Sequence, residues 1–327
     1  MARSRPWLRW STWFPRTSHS RRRRWWRWVR GAGFAVAVAG LVSATTPVRN
    51  PDAGVVFTLL DGADPNGVVT RVRLDVSVIG APVVGNWDRA RSGRDTVGIS
   101  VPAGVSRRWL LASGNTPTAT VRYDFWWGHP ECLEVTGDWQ GTGDSIGEAC
   151  RDAAADTWMW RLAGQLTPDG PLPFRTYHFG STLCAPVVGD WNGDGVTTVG
   201  VSCPQGTVRQ WSLTDSVGEV SGVDPKPSHA FRWGDAACRP ATGNWDGRAF
   251  GGADGTTVGE VCSNGGTWHW VVTDHNETGG IARSFDWGPT TQGPVVGNWD
   301  GQPGGMPANT GDGDDTPGTV TGLEPPF

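Results

Sequence analysis

Lysine is almost missing from this 327-residue chain: Lys226 is the only one, and Asp, Glu, Lys and Arg together make up 18%. Strong helix formers are scarce, while 48 Gly and 24 Pro interrupt the sequence every few positions, which excludes a helical bundle or a long coiled coil. The six histidines, His19, His129, His178, His229, His269 and His275, form no HExxH pair, and the six cysteines show no CxxC spacing, so neither motif offers a zinc site. Acid is absent from residues 1–30, which hold ten Arg; the remaining 297 residues carry 18 Lys and Arg against 32 Asp and Glu. The whole-chain charge of −4 therefore conceals a +10 leader and a −14 remainder. An acidic domain of that charge is a poor partner for nucleic acid or an anionic membrane surface.

What is abundant is tryptophan, with 21 residues, enough aromatic surface to offset the entropy of ordering the chain and so to exclude disorder. Residues 1–44 have the form of a secretory signal peptide: a basic, Trp-rich stretch ending in Arg21 to Arg30, an apolar run over 31–44, and small residues at Val42-Ser43-Ala44. That run is shorter than the roughly 18–20 residues needed to span a bilayer, so no stable membrane span is expected after cleavage. The four arginines after Ser20 admit twin-arginine as well as general export. A nucleic-acid or membrane-active arm is the competing reading of the same charge. Residues 45–54 read as a linker, with the mature chain beginning near Thr45 and residing in the cell envelope or outside the cell.

Self-comparison shows a repeat. Ala81–Trp87 (APVVGNW), Leu133–Trp139 (LEVTGDW), Ala185–Trp191 (APVVGDW), Arg239–Trp245 (RPATGNW) and Gly293–Trp299 (GPVVGNW) are copies whose Trp residues lie 52, 52, 54 and 54 apart. Each runs through a Gly/Asp loop into a second strand: Asp95–Val101, Asp144–Cys150, Thr197–Cys203, Thr256–Cys262 or Asp315–Thr321. A third strand carries Trp109, Trp160, Trp211 or Trp270, and a fourth ends in Trp127-Gly128, Phe179-Gly180, Trp233-Gly234 or Trp287-Gly288. Four short strands in about 50 residues, joined by Gly-rich turns, define a propeller blade.

The full repeats cover 81–131, 132–183, 184–237 and 238–291; a half blade with two strands precedes them (55–80), another follows (292–322), and 323–327 is a tail. The expected fold is all-β, a five-bladed β-propeller over 55–322 in which two strands from each terminus close one blade. Such closure pairs the terminal edges that would otherwise invite aggregation.

Six cysteines allow 15 pairings. Cys132, Cys184 and Cys238 each stand seven residues before the repeat Trp, and Cys150, Cys203 and Cys262 three residues after the second-strand Gly. Both positions are filled in repeats two to four and both are empty in one (Gly80, Val101) and five (Gln292, Thr321). Joint gain and loss predicts Cys132–Cys150, Cys184–Cys203 and Cys238–Cys262.

Asp190-Trp191-Asn192-Gly193-Asp194-Gly195-Val196-Thr197-Thr198 resembles the FG-GAP/VCBS-like repeats of integrin-type propellers and of many secreted bacterial proteins, and the Arg-rich composition suits a high-GC bacterium. The resemblance implies a Ca²⁺-holding loop with Asp190, Asn192, Asp194, the Val196 carbonyl and Thr198 as ligands, since a hard cation takes oxygens that alternate along a tight loop. The family's ninth-position Asp is Thr198 in this chain. The other loops keep a first pair (Asn86/Asp88, Asp138/Gln140, Asn244/Asp246, Asn298/Asp300) and lose the third ligand from register, leaving Asp95, Asp144, Asp254, Asp314 and Asp315 to compensate by another loop path.

Gly143-Asp144-Ser145-Ile146-Gly147 matches GxSxG, but Ser145 aligns with Thr96, Thr198, Thr257 and Thr316 and leads into a strand, whereas a nucleophile elbow leads into a helix. The repeat Trp residues are expected to pack between blades, and Trp126, Phe250 and Trp268 are the aromatics available for binding. Asn276-Glu277-Thr278 is a glycosylation sequon. The expected function is an exported, non-catalytic binding or scaffold module, monomeric, taking a protein or glycan on a loop face. The alternative is a lectin or a glycosidase-like five-bladed enzyme; the latter needs two carboxylates about 5–9.5 Å apart, and only Glu134 is a mid-strand acid on the inner strands.

Overall fold

The structure, a computed structural model, describes residues 54–61, 68–87, 94–218, 223–245, 255–279, 283–299 and 316–321. Residues 1–44, expected from the sequence to be a cleaved leader, lie outside them. Within the described residues the chain forms β1 (Val55–Asp61), β2 (Val68–Leu74), β3 (Ala81–Gly85), β4 (Thr96–Ala103), β5 (Ser106–Ala112), a two-residue β6 (Thr118–Ala119) and β7 (Val121–Trp126). Then come β8 (Leu133–Gly137), β9 (Ser145–Asp152), β10 (Thr157–Thr167), β11 (Gly170–Ser181), β12 (Ala185–Gly189), β13 (Thr198–Gln205), β14 (Val208–Leu213) and β15 (His229–Asp235). The last six are β16 (Arg239–Gly243), β17 (Thr257–Asn264), β18 (Thr267–Val272), β19 (Arg283–Pro289), β20 (Gly293–Gly297) and β21 (Thr316–Thr321).

These make five antiparallel sheets in a ring, a five-bladed β-propeller. Blade I is β3-β4-β5-β7, blade II β8-β9-β10-β11, blade III β12-β13-β14-β15 and blade IV β16-β17-β18-β19. The closing blade runs β20-β21-β1-β2, with β21 and β1 joined through Phe57 opposite Val320 and Leu59 opposite Gly318. One strand was not foreseen. From the connection between β5 and β7, β6 adds in parallel to β2, Arg73 opposite Thr118 and Leu74 opposite Ala119, so blade I covers the outer edge of its neighbour.

The second strand of each full blade is buried on both faces over its first five residues; Thr96–Ser100 and Thr198–Ser202 accordingly read as unbroken small or apolar runs, while the same stretches of β9 and β17 each hold one acid, Glu148 and Glu260. Every core cluster straddles two blades. Val83, Trp87, Trp109 and Leu111 of blade I meet Ile146 and Ala163 of blade II, and Trp139, Trp160 and Phe179 of blade II meet Val199 and Val201 of blade III. The repeat tryptophans Trp87, Trp139, Trp191, Trp245 and Trp299 are all buried in this way, as expected for a residue present in every blade.

Two further repeated features have a direct cause. The indole N–H of each third-strand Trp donates to the carbonyl of the aromatic before the fourth-strand Gly: Trp109 to Trp127, Trp160 to Phe179, Trp211 to Trp233 and Trp270 to Trp287, at 2.9–3.0 Å. The glycine that follows turns left-handed, with φ of 87° at Gly128 and 83° at Gly234, and a Cβ there would collide with a carboxylate oxygen of Glu148 or Glu260 in the next blade.

Candidate functional site

The loop from Asp190 to Thr198 joins β12 to β13. Asp190 Oδ1 accepts the Asp194 N–H at 3.1 Å and Oδ2 the Gly195 N–H at 2.8 Å; Asp194 Oδ1 accepts the Val196 N–H at 2.9 Å, and Asn192 Nδ2 donates to Asp194 Oδ2 at 3.0 Å. Three oxygen-bearing side chains are thus gathered in one tight turn. Burial, with Asp194 adding to it, raises the Asp190 carboxyl above its ordinary range against the pull of its N–H donors. Thr198 lies in β13, buried, with its hydroxyl donating to the Gly189 carbonyl at 3.1 Å.

Two of the acids expected to supplement the other loops, Asp95 and Asp144, have another role. Asp95 Oδ2 accepts the Asn298 N–H at 2.9 Å and Asp144 Oδ2 the Asn86 N–H at 2.6 Å, each reaching back to the preceding blade. Thr197 and Thr256 repeat this with their hydroxyls, on the N–H of Asp138 and of Asp190, both at 3.0 Å. Asp95, Thr197 and Thr256 also donate their own N–H to the carbonyl of the same partner, at 2.6–2.7 Å. These bonds form a belt between blades. Asp88, Asp246, Asp254, Asp300, Asp314 and Asp315 lie outside the described residues.

The other end of the ring carries the disulfides Cys132–Cys150, Cys184–Cys203 and Cys238–Cys262, each joining the start of a first strand to its neighbour in the same blade. Cys132 and Cys150 lie near Glu148, and Cys238 and Cys262 near Glu260, in groupings of metal-ligand type, but every cysteine is oxidised and has no thiolate to offer. At this end a third-strand residue clamps each of blades I to IV to the next. Arg107 donates to the Cys132 carbonyl, Trp158 to that of Cys184 at 3.0 Å, Arg209 to that of Cys238, and Trp268 to that of Gln292 at 2.9 Å. Arg and Trp therefore alternate around blades I to IV. The blades that carry Trp also carry a buried second-strand acid: Glu148 Oε2 accepts the His129 N–H at 2.7 Å, and Glu260 Oε2 the Asp235 N–H at 2.6 Å.

Glu134, the mid-strand acid of the inner strands, is paired to Arg107 at 2.8 Å. Its carboxyl is raised by burial, with Arg107 opposing. Its cross-strand partner is Glu148, which is 0% exposed and paired to Arg161 at 2.7 Å. The second acid was missed because it sits on a second strand; its signal is that Glu148 and Glu260 share one repeat position. The two carboxylates are adjacent, yet Glu148 is sealed from any substrate. At the second position of the inner strands stand Pro82, Glu134, Pro186, Pro240 and Pro294. Pro82, Pro240, Pro294, Thr242, Val296 and Arg239 line a cavity of about 360 Å³, with the Arg239 guanidinium 5.3 Å from the Trp268 ring centroid.

Other expectations resolve by burial. Ser145 is 3% exposed and donates to the Gly164 carbonyl, as Thr257 does to Thr273, so GxSxG is a strand-pinning hydroxyl. Trp268 is buried as a clamp and is not a binding aromatic; Trp126 is 57% exposed, and Phe250 lies outside the described residues. The sequon Asn276 is buried, its amide holding the Val258 N–H and the Thr256 carbonyl, so it is not an accessible acceptor in the folded chain. Among the described residues no helix is long and apolar enough to cross a membrane.

Comparison with family models, with curated proteins and with solved structures finds no match. The class that fold and site define is therefore a five-bladed β-propeller with three intra-blade disulfides.

Proposed function

We propose that this chain is an exported propeller of the FG-GAP/VCBS-like repeat type, of bacterial origin, that works as a monomeric, rigid binding or scaffold module in the cell envelope or outside the cell. The observation that carries this reading is the set of three disulfides, which persist in an oxidising compartment. The repeated polar groups around them, Arg107, Glu148, Arg209 and Glu260, are engaged in joining blades. Binding then falls to the loops, where a rigid frame presents variable residues to a protein or glycan. Expression with the leader intact tests it: the exported form should begin near Thr45 and contain no titratable thiol until reduced. A cytoplasmic product with an intact leader and six free thiols would sink it.

The loop at Asp190 fits Ca²⁺ in donor type, and Asp190, Asn192, Asp194 and the Val196 carbonyl would hold it, while Thr198 pins the strand. When bound, the ion supplies charge compensation for two neighbouring carboxylates and stiffens the loop. Calorimetric titration of chelated protein tests this, and neither heat nor a rise in melting temperature on adding Ca²⁺ would reject the site.

Glycan binding is the favoured form of recognition at one place, because Trp126 is exposed beside the Arg108–Asp124 ion pair, which holds at 2.7 Å. A glycan array on wild type and Trp126→Ala tests it: loss of a signal in the variant supports the subsite, and equal binding removes it.

A further inference from the structure

On the outer half of each blade, one face of the third and fourth strands carries side chains that differ from blade to blade. Arg108 pairs with Asp124 in blade I, Met159 lies opposite His178 in blade II, and Gln210 bonds Arg232 in blade III. In blade IV these positions hold His269, Ser284 and Asp286. Strand pairing sets Asp286 opposite His269 and Ser284 opposite Val271, so the three side chains share a face. His269 Nδ1 is 2.6 Å from Asp286 Oδ1, and His269 Nε2 is 3.0 Å from Ser284 Oγ.

A carboxylate only accepts hydrogen bonds, so Asp286 holds the imidazole proton on Nδ1 and leaves the Nε2 lone pair to accept from the Ser284 hydroxyl. Hydroxyl, imidazole and carboxylate in that order, through those two nitrogens, form the arrangement that activates a serine, which is recognised by geometry and roles rather than by position in a sequence. Blade packing does not call for it, since the alternate residues of β18, Trp268, Trp270 and Val272, are the buried ones.

We propose that Ser284, His269 and Asp286 form a nucleophilic site that hydrolyses short-chain acyl esters. His269 is about one-third exposed and Asp286 about half, so the site is open. An open face suits a short acyl group projecting from a larger molecule and has no depth for a long chain. Ser284 Oγ adds to the ester carbonyl as His269 Nε2 takes its proton. The tetrahedral intermediate collapses, the C–O bond to the alcohol breaks, and His269 returns the proton to the departing alkoxide. Water, deprotonated by His269, then releases the carboxylic acid and restores Ser284. β19 is the outer strand of its sheet, and in this scheme the oxyanion takes its hydrogen bonds from backbone N–H groups on that outer edge. Ser284 and His269 are catalytic in this scheme and Asp286 positions the ring. Neither the export reading nor the Ca²⁺ loop is needed for it.

The test uses the full chain with its three disulfides formed, p-nitrophenyl acetate as substrate and a fluorophosphonate as covalent probe, which loses fluoride as the Ser284 Oγ–P bond forms. Peptide mapping should find the adduct on Ser284. Ser284→Ala should abolish it, and His269→Gln should slow both labelling and turnover by about 100-fold or more. Asp286→Asn should lower the maximal labelling rate and move the midpoint of its pH profile downward, which a packing role would not do. Ser284→Cys guards against misfolding as an explanation: iodoacetamide should alkylate this single variant faster than the double variant Ser284→Cys/His269→Gln. No adduct on Ser284 in protein with the wild-type melting temperature overturns the proposal, as does labelling or thiol alkylation indifferent to His269→Gln.

Discussion

Asp95 and Asn298, 203 positions apart in the chain, grip each other twice: Asp95 Oδ2 accepts the Asn298 N–H at 2.9 Å, and the Asn298 carbonyl accepts the Asp95 N–H at 2.7 Å. The contact spans the seam between the closing blade and blade I, and with the pairing of β1 to β21 it ties residues from the two ends of the chain together. Asp95→Ala removes one acceptor from a partly buried N–H and should cost about 1–2 kcal/mol. Urea titration should show a lower midpoint with an unchanged slope; an unchanged midpoint would mean that water replaces the carboxylate without loss.

Removing one covalent staple should cost more. The Cys184–Cys203 bridge closes 19 residues, which in the chain-entropy account corresponds to about 3 kcal/mol. The double variant Cys184→Ala/Cys203→Ala should melt roughly 6–12 °C lower, at about 2–4 °C per kcal/mol for a domain of this size. Calorimetry of the variant, with the other two bridges verified by mass, decides the matter.

Tryptophan separates cleanly by location. Trp191→Ala empties a fully buried site between blades III and IV and should cost about 3–5 kcal/mol. Trp126→Ala, at an exposed position, should stay within about 0.5 kcal/mol of wild type. Thermal denaturation of the pair measures both; equal losses would contradict the inward orientation of the repeat Trp.

Acid should relieve part of the interior. Burial raises the carboxyls of Glu134 and Glu260 above the ordinary 4.5, against the pull of Arg107 on the first and, on the second, of the Asp235 N–H and then Arg209. The folded chain then keeps protons that the unfolded chain has lost, so their contribution to stability falls as pH rises from about 4.5 through the raised values and stays low above them. Glu260→Gln should flatten the pH dependence of the melting temperature in that window. A variant curve parallel to wild type would show that the carboxyl titrates normally.

The architecture was legible because one position per blade, the Trp after Gly-Asn or Gly-Asp, is fixed by packing against the next blade and so recurs at nearly constant spacing. The closing blade followed from the half units at either end, and the bridges from the joint presence of Cys132 with Cys150. The belt was not legible. Asp95 and Asp144 sit in loops rich in Asp and Gly, and whether a carboxylate turns to a cation or to a neighbouring N–H depends on how blades abut. The Ser284–His269–Asp286 cluster was hidden for a related reason: Asp286 meets His269 only through the β18–β19 register. The burial of Asn276 was likewise invisible in a motif that reads as surface.

The alternation of Arg and Trp clamps has a consequence in parity. Arg107 and Arg209 face Glu-bearing blades, whereas Trp158 and Trp268 do not, so the clamps repeat with a period of two blades. Two pairs make four blades, and an alternating pattern cannot close on an odd number. The fifth blade resolves the mismatch by neutrality: Val55 and Phe57 stand where the others have a clamp and a Trp, and its seam with blade I is sealed by aliphatic side chains such as Leu59, Leu74, Val97 and Ile99. An odd number of blades is thus compatible with alternating clamps because one blade carries neither kind.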